Sequence, residues 1–247
     1  MHERSGGWAA GLVLLAQRAR DESAASMTAP GPGVFDYFAG EILDRAAPAH
    51  RDVMLRTALL PEISRDAAIA LTGRVDAPEV LEGLHRRQYF TDRRAGSTPT
   101  WRYHDLFREF LQARLAQSTD PDTLAQLRRQ AGALLADTGA PGDAVVLYRQ
   151  AGDWEAIGTL IRTHAAALMA AGRWQTLAGW FEGLPESARH ADPWVLFWWA
   201  ACRVMTDPKE AQTLLTEAFE AFAAAGDTNG QFHAALAQAE VVFVLGE

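Results

Sequence analysis

A recurring small-Gly-polar element in the second half of the sequence sets the strongest limit on the fold. Ala151-Gly152-Asp153-Trp154 is followed 20 residues later by Ala171-Gly172-Arg173-Trp174, and a weaker copy stands at Ala224-Ala225-Gly226-Asp227. Glycine is favoured just after the last turn of a helix and aspartate just before the first turn, so each element predicts a junction between two helices. Residues 118–247 are also rich in Ala and Leu, and they are therefore predicted to form TPR-like helical repeats, an α-solenoid.

The preceding segment, residues 34–117, predicts a different kind of domain. Four apolar stripes at helical spacing come first, and Ser64 is placed to cap the third, which runs through Leu71 and is stopped by Gly73. Two aromatic runs, Tyr89-Phe90-Thr91 and Trp101-Arg102-Tyr103, then flank a turn-rich stretch and predict a β-hairpin. A last helix carries its apolar residues between Leu106 and Leu115. Helices, a small hairpin and a closing helix together predict a winged-helix-like domain within a mainly α fold.

Residues 1–33 are predicted to contain one apolar helix and a linker. Trp8–Ala16 is apolar except for Gly11, and Pro30-Gly31-Pro32-Gly33 has the composition of a loop. A single helix cannot bury its own apolar surface, so this region is predicted to complete a larger module. The apolar run has about half of the roughly 20 residues that span a bilayer. The single cysteine, Cys202, fits a reducing compartment, and we expect a cytoplasmic protein without a membrane partner.

Charge and motif searches argue against catalysis and against direct nucleic-acid binding by this segment. The net charge is −8, whereas a nucleic-acid surface needs clustered Lys and Arg. A phosphate-binding P-loop requires Gly-Lys-Ser/Thr, and the sole lysine is Lys209 in Asp207-Pro208-Lys209-Glu210. The histidines lack metal-ligand spacing, and no Gly-x-Ser-x-Gly nucleophile motif occurs. Cys202 lies in an apolar helical stretch and is interpreted as an inert buried thiol. We predict no enzyme activity, no metal site and no cofactor for the segment alone.

His104 is the most informative single residue. It stands where the second hairpin strand meets the closing helix of the winged-helix-like domain. The positive end of a helix dipole and its free amides favour anions at such a place. The residues alone favour a structural histidine over an anion-binding one, and both interpretations stay open at this point.

Six tryptophans crowd the predicted repeats, and they have two interpretations. The first is packing within and between helix pairs, which the residues alone favour. The second is an aromatic surface for an inducer or a protein partner, for which Trp154, Trp174 and Trp198 are the candidates. Trp198 and Trp199 are adjacent, so on a helix their side chains point about 100° apart. At most one of the two can lie centrally in a single narrow groove.

Several stretches, in the same order, resemble the MalT-type regulators, which are large LuxR-family members of the STAND class of signal-transduction ATPases. Arg102–Leu111 resembles the closing motif of their winged-helix domain. Gly7–Leu12 resembles the helix that ends their ATPase core, and Phe35–Leu43 and Leu55–Leu60 resemble the first two winged-helix helices. Ala144–Trp154 and Leu168–Pro185 resemble the start of their helical-repeat sensor region.

The resemblance implies that the chain is an internal segment of a nucleotide-switched transcription regulator. Residues 1–33 would be the C-terminal remnant of the ATPase helical subdomain plus a linker, residues 34–117 the winged-helix domain and residues 118–247 the start of the repeats. In that family an N-terminal nucleotide-binding core holds ADP at rest, and the histidine matching His104 contacts the ADP β-phosphate. The repeats bind an inducer or a regulatory protein, and a separate terminal domain reads the promoter.

Two functions therefore stay open at the level of sequence. The first is a regulatory and sensor segment of an ATP/ADP-switched bacterial transcriptional regulator. Its partners would be the missing nucleotide-binding core and an inducer or regulatory protein at the repeats. The alternative is a stand-alone helical-repeat scaffold for a protein partner, which the tryptophan-rich third region suggests. ATP hydrolysis and DNA binding cannot be assigned to these residues under either hypothesis.

Overall fold

The computed structural model describes residues 34–94, 96 and 98–245. The apolar helix predicted at Trp8–Ala16 and the linker after it lie outside the described residues. The chain divides into two compact units between Ala131 and Gly132, and this division falls inside a helix, Pro121–Asp137. Within the described residues, the first unit contains all of the strands and the second is helical.

From residue 34, where the description begins, the first unit has four helices in succession, as the sequence predicts. They are α1 (Val34–Arg45), α2 (Pro48–Thr57), α3 (Arg65–Thr72) and α4 (Ala77–Arg86). Ser64 caps α3, since its hydroxyl oxygen accepts a hydrogen bond from the Ala67 N–H at 3.1 Å. Gly73 ends α3 with a φ of +69°, a left-handed conformation that glycine adopts at little cost. The predicted start and end of α3 are both confirmed.

The predicted hairpin consists of β2 (Thr91–Arg94) and β3 (Thr100–Tyr103), which pair antiparallel. A third strand, β1 (Ile63–Ser64), pairs with the other edge of β3, with Ile63 opposite Trp101. The sheet order is therefore β1-β3-β2. The sequence did not predict β1, because two residues are too few to show the alternation of apolar and polar positions that marks a strand. Tyr89 and Phe90 were predicted to belong to the hairpin, but β2 begins only at Thr91.

The core of the first unit joins the sheet to its closing helix, α5 (Asp105–Ser118). Phe107 is fully buried, and the Tyr103 ring meets it edge-on with the centroids 5.6 Å apart. The Tyr103 hydroxyl lies 2.9 Å from the Thr57 hydroxyl, which in turn donates to the Val53 carbonyl at 2.7 Å. Burial raises the pKa of Tyr103, so the phenol stays neutral. These bonds satisfy buried polar groups and tie β3 to α2, completing the predicted winged-helix arrangement.

The second unit is built of consecutive helices. They are the end of α6 (Pro121–Asp137), then α7 (Pro141–Ala151), α8 (Trp154–Ala170), α9 (Trp174–Trp180), α10 (Glu186–His190), α11 (Pro193–Arg203), α12 (Pro208–Ala225) and α13 (Thr228–Leu245). In the part of the chain that the structure describes, no helix combines the length and the apolar character needed to cross a membrane.

The three small-Gly-polar elements end and begin helices as predicted. Gly152, Gly172 and Gly226 have φ values of +67°, +69° and +70°, and each follows the end of a helix. Asp153 and Asp227 each accept a hydrogen bond from a backbone N–H in the first turn of the following helix, at 3.1 and 2.8 Å. The same joint thus recurs three times, with glycine at the left-handed position each time. The prediction of a mainly α fold with helical repeats after a winged helix is confirmed.

Candidate functional site

His104 lies between the end of β3 and the start of α5, so the predicted hairpin stands directly before it. Its backbone N–H donates to the Phe90 carbonyl at 2.8 Å, and its carbonyl accepts from the Arg108 N–H at 2.9 Å. The residue is half-buried. Hydrogen bonds on both sides of the peptide therefore hold the His104 backbone at the helix start.

The Phe90 carbonyl belongs to a turn with an unusual backbone. Gln88 and Phe90 have φ values of +55° and +48°, a region in which each side-chain-bearing residue costs roughly 1–2 kcal/mol. The Phe90 ring packs on Phe107 with the centroids 5.3 Å apart. The turn thus connects the end of α4 both to the His104 backbone and to the first turns of α5. Strained backbone is a recurrent property of functional sites, because it persists only where the surroundings hold it.

The start of α5 offers donors to an anion. The His104 side chain does not cap this helix, and its Nδ1 atom is screened from solvent. The first N–H groups of a helix have no acceptor within the helix, and the helix dipole makes this end positive. An imidazole beside such a helix start is a donor set that suits phosphate oxygens.

Two charged residues flank His104 and oppose each other. Asp105 places a carboxylate in the first turn of α5, which is favourable for the dipole but unfavourable for a phosphate. The Arg102 guanidinium lies 3.0 Å from this carboxylate and offsets its charge. Both side chains are exposed, so solvent screens the pair and its energetic effect is small. The local balance of charge therefore neither attracts nor excludes an anion strongly.

Arg108 and Gln112 extend the polar face of α5 that begins at His104, since residues four apart share a helix face. The Arg108 guanidinium donates to the Ala58 carbonyl at 2.9 Å and to the Leu59 carbonyl at 3.2 Å. The Gln112 amide also donates to the Ala58 carbonyl, at 2.8 Å. These bonds attach α5 to the residues that follow α2, where carbonyls favour a cation. Neither residue was predicted from the sequence to belong to the site, although their four-residue spacing from His104 was the available signal.

The three tryptophans predicted to bind a partner occupy separate places in the second unit. Trp154 and Trp174 are the half-buried first residues of α8 and α9, and the Trp174 carbonyl accepts from the Cys202 thiol at 3.9 Å. Trp198 lies on α11 with its ring 6.5 Å from that of Trp194. Among the described residues, no ring contact joins any two of the three predicted tryptophans. Their partner-binding role stays a prediction.

Cys202, which the sequence predicts to be an inert thiol, is buried. Burial raises the pKa of its thiol to about 12, so the sulfur stays protonated at neutral pH and is not activated. The predicted burial of Cys202 is confirmed, and its inertness stays a prediction. Within residues 34–94, 96 and 98–245, no three His, Cys, Asp or Glu side chains are grouped to hold a metal ion.

Comparison with known proteins finds a family match within the first unit. Residues 39–124 match the family model of the MalT winged helix domain. The HTH-type transcriptional regulator MalT of Klebsiella pneumoniae strain 342 is 25% identical over 245 residues, with 95% of this chain covered. The MalT of a second strain, of Klebsiella pneumoniae subspecies pneumoniae, matches with the same identity and coverage. The chain spans only 27% of the length of each of these relatives.

Proposed function

We propose that this chain is the regulatory and sensor segment of a nucleotide-switched bacterial transcription regulator. Its residues 39–124 match the family model of the MalT winged helix domain, and the chain is similar to MalT along most of its length. Its winged helix would close over ADP held by an N-terminal nucleotide-binding core. Its repeats would relay the binding of an inducer or a regulatory protein to that core. DNA binding and nucleotide turnover would belong to other domains of the full-length protein.

One observation carries the proposal: His104 stands at the start of α5, directly behind the hairpin of a winged helix that matches the MalT family model. In the family that the sequence resembles, the matching histidine contacts the ADP β-phosphate. The donor set fits such a group, because the imidazole and the first-turn amides of α5 all present N–H groups to an anion. Arg108 would act as a positioning residue, since it fixes α5 to the residues after α2.

Within this proposal, the residues of the chain hold ADP rather than transform it. His104 would donate a hydrogen bond to a phosphate oxygen and keep the winged helix against the nucleotide. The turn at Gln88–Phe90 would keep the His104 backbone in place through the 2.8 Å bond to the Phe90 carbonyl. Bound ADP would supply the negative charge that these donors lack. Loss of the His104 contact would therefore open the resting state.

The test uses His104→Ala in the full-length protein, with His50→Ala as the matched control. His50 is an exposed histidine on α2 of the same unit. Each protein is purified without added nucleotide, and the ADP that remains bound is extracted and quantified. We expect His104→Ala to retain at least about tenfold less ADP, since the loss of one hydrogen bond to a charged group is worth about 1.5–3 kcal/mol. Transcription without inducer should rise in the same variant.

The control separates a specific contact from a general effect of losing a histidine. His50→Ala should retain ADP as the wild-type protein does, and both variants should show the wild-type circular dichroism spectrum. Unchanged ADP retention in a correctly folded His104→Ala protein would remove the phosphate-contact role. A full-length reading frame without any nucleotide-binding core would remove the proposal altogether.

A further inference from the structure

Five residues of α11 and α13 form a continuous aromatic and aliphatic surface on the second unit. The α11–α13 surface consists of Trp194, Trp198, Phe232, His233 and Leu236. The Trp194 ring lies 6.5 Å from that of Trp198 and 5.7 Å from that of His233, and the His233 ring lies 6.1 Å from that of Phe232. Leu236 follows His233 by three residues and so extends the same side of α13 by almost one turn.

This surface is open to solvent. Phe232 and Leu236 are 65% and 52% exposed, His233 is exposed, and the two tryptophans are half-buried. Single exposed apolar residues are common, but a contiguous group of large ones marks an interaction site in a folded protein. Aromatic residues are also the side chains that contribute most to binding at protein interfaces.

The surface is held rigidly from behind. The Trp194 indole N–H donates to the Asp227 carboxylate at 2.9 Å, and the same carboxylate accepts from the Gly230 N–H at 2.8 Å. The Trp194 ring also packs on fully buried Phe222 with the centroids 4.9 Å apart. A partner would therefore meet a preformed surface and would lose little free energy in ordering it.

The charge of the second unit selects the kind of partner. Residues 132–247 contain six Lys and Arg against fourteen Asp and Glu, a net charge of −8, whereas residues 1–131 contain seventeen of each. No Lys or Arg follows Lys209, but Glu210, Glu217, Glu220, Asp227 and Glu240 all do. The α11–α13 surface thus lies in the part of the molecule with the largest excess of negative charge.

Four of the six Lys and Arg side chains of this unit have partners within it. The Arg149 guanidinium donates to the Gly179 carbonyl at 2.7 Å, and that of Arg162 lies 3.1 Å from the Asp192 carboxylate. Arg189 and Arg203 both lie over the Trp199 ring, at 5.1 and 4.5 Å from its centroid. They leave most carboxylates of the unit uncompensated.

We propose that the α11–α13 surface binds a cationic amphipathic helix of a partner protein. The apolar side of that helix would pack on Phe232 and Leu236, as amphipathic helices do in apolar grooves. Its Lys and Arg side chains would reach the exposed faces of Trp194 and Trp198 and the carboxylate of Glu240. This proposal deepens the sensor role of the repeats and rests on it.

The charge of the unit also weighs against two other occupants. A second copy of the chain would bring another charge of −8 to the same surface, and like charges disfavour that contact. A nucleic acid is polyanionic and would be repelled for the same reason. A cationic helix is the occupant that satisfies both the apolar surface and the surrounding carboxylates.

The experiment measures binding of a fluorescent Leu/Lys model helix of about five turns to the purified 247-residue chain by fluorescence anisotropy. A peptide with Glu at every Lys position serves as the charge control. The protein variants are Phe232→Ser with Leu236→Ser, and Val146→Ser as the matched control. Val146 is a 46% exposed apolar residue on α7 of the same unit, outside the α11–α13 surface.

We expect the cationic helix to bind the wild-type chain and to dissociate as salt is added, while the anionic helix does not bind. The double variant should bind at least about tenfold more weakly, and Val146→Ser within about twofold of wild type. Equal binding by the two peptides, wild-type affinity in the double variant, or absence of binding would each overturn the proposal. A wild-type dimer that the double variant converts to a monomer would overturn it in favour of self-association. None of these readings depends on nucleotide retention, so the His104 test can fail or succeed separately.

Discussion

The helix joints of the second unit and the turn after α4 in the first unit solve the same local problem, the reversal of the chain after a helix, in different ways. In the second unit, Gly152, Gly172 and Gly226 occupy the left-handed positions, where glycine has no steric penalty. In the first unit, Gln88 and Phe90 occupy such positions although each carries a side chain. The repeats thus use an unstrained joint several times and vary the surface around it. The winged helix instead tolerates strain at one turn, and that turn holds His104.

Removing one buried aromatic side chain from each unit tests most directly whether the two units lose stability independently. Phe107 and Phe222 are both fully buried, with 0% of each side chain exposed to solvent. We expect Phe107→Ala to destabilise the first unit and Phe222→Ala the second, each by about 3–5 kcal/mol, because each leaves a cavity. Hydrogen exchange followed by mass spectrometry resolves the two effects, since it assigns the lost protection to particular peptides.

Phe232→Ala is the control for these two variants, because Phe232 is exposed and its truncation should change stability by less than about 0.5 kcal/mol. If either core variant lowers protection equally throughout the described chain, the two units unfold as one. The comparison between them would then have no thermodynamic basis.

A smaller effect is expected at Gly230, where the second unit depends on the absence of a side chain. An added Cβ there would overlap the ring of buried Phe222. Gly230→Ala should destabilise the second unit by about 1–3 kcal/mol, the usual range for overpacking a core. Gly83→Ala on α4 is the control, since an added Cβ meets nothing within 4 Å and the helix should gain about 0.5–1 kcal/mol. Urea unfolding of both variants measures the difference, and equal stability would contradict the overlap.

The helices and the hairpin were predictable because their signals are local. Ser64 and Gly73 mark the two ends of α3 in the sequence, and the three small-Gly-polar elements mark joints in the repeats. β1 was not predictable, because Ile63 and Ser64 become a strand only by pairing with β3, which lies far along the chain. The same reason hid the left-handed conformation of Phe90, whose carbonyl is held by the His104 N–H.

The candidate site was predictable only in part. The place of His104 follows from the order of a hairpin and a helix, which a sequence can show. The bonds from Arg108 to the Ala58 and Leu59 carbonyls join residues about fifty positions apart, and no local pattern encodes such a pairing. Of the α11–α13 surface, only Trp198 was predicted, because exposure cannot be read from residue type: Phe232 has the character of a core residue but is 65% exposed.

The strained turn of the first unit can be compared directly with a glycine joint of the second unit, by opposite substitutions at the left-handed positions. Gln88→Gly should stabilise the first unit by about 1 kcal/mol, because glycine removes the penalty of the left-handed conformation. Gly152→Ala should destabilise the second unit by a similar amount, about 1 kcal/mol, for the opposite reason. Thermal unfolding of both variants checks the signs. A loss of stability in Gln88→Gly would show that the Gln88 side chain contributes more than its backbone costs.

The smallest expected effect is a pH dependence confined to the second unit. His190 Nδ1 donates to the Glu186 carbonyl at 2.9 Å, and Nε2 lies 3.2 Å from the Glu217 carboxylate. The carbonyl and then the carboxylate raise the pKa of His190 above its usual value, because only the imidazolium donates from both ring nitrogens. The stabilisation is therefore complete below about pH 6.5, the usual pKa of histidine, and is lost as the pH rises through the raised pKa.

The exposure of the pair limits the size of this effect. Both side chains are more than a third exposed, so solvent screening leaves about a few tenths of a kcal/mol. The midpoint of urea unfolding, compared at about pH 5.5 and about pH 8.5, should fall with pH in the wild-type chain and fall less in Glu217→Gln. Glu220→Gln removes a nearby exposed carboxylate of α12 and should keep the wild-type dependence. If the two variants respond alike, the pH dependence of stability comes from the net negative charge of the repeats. The His190–Glu217 pair would then not be its cause.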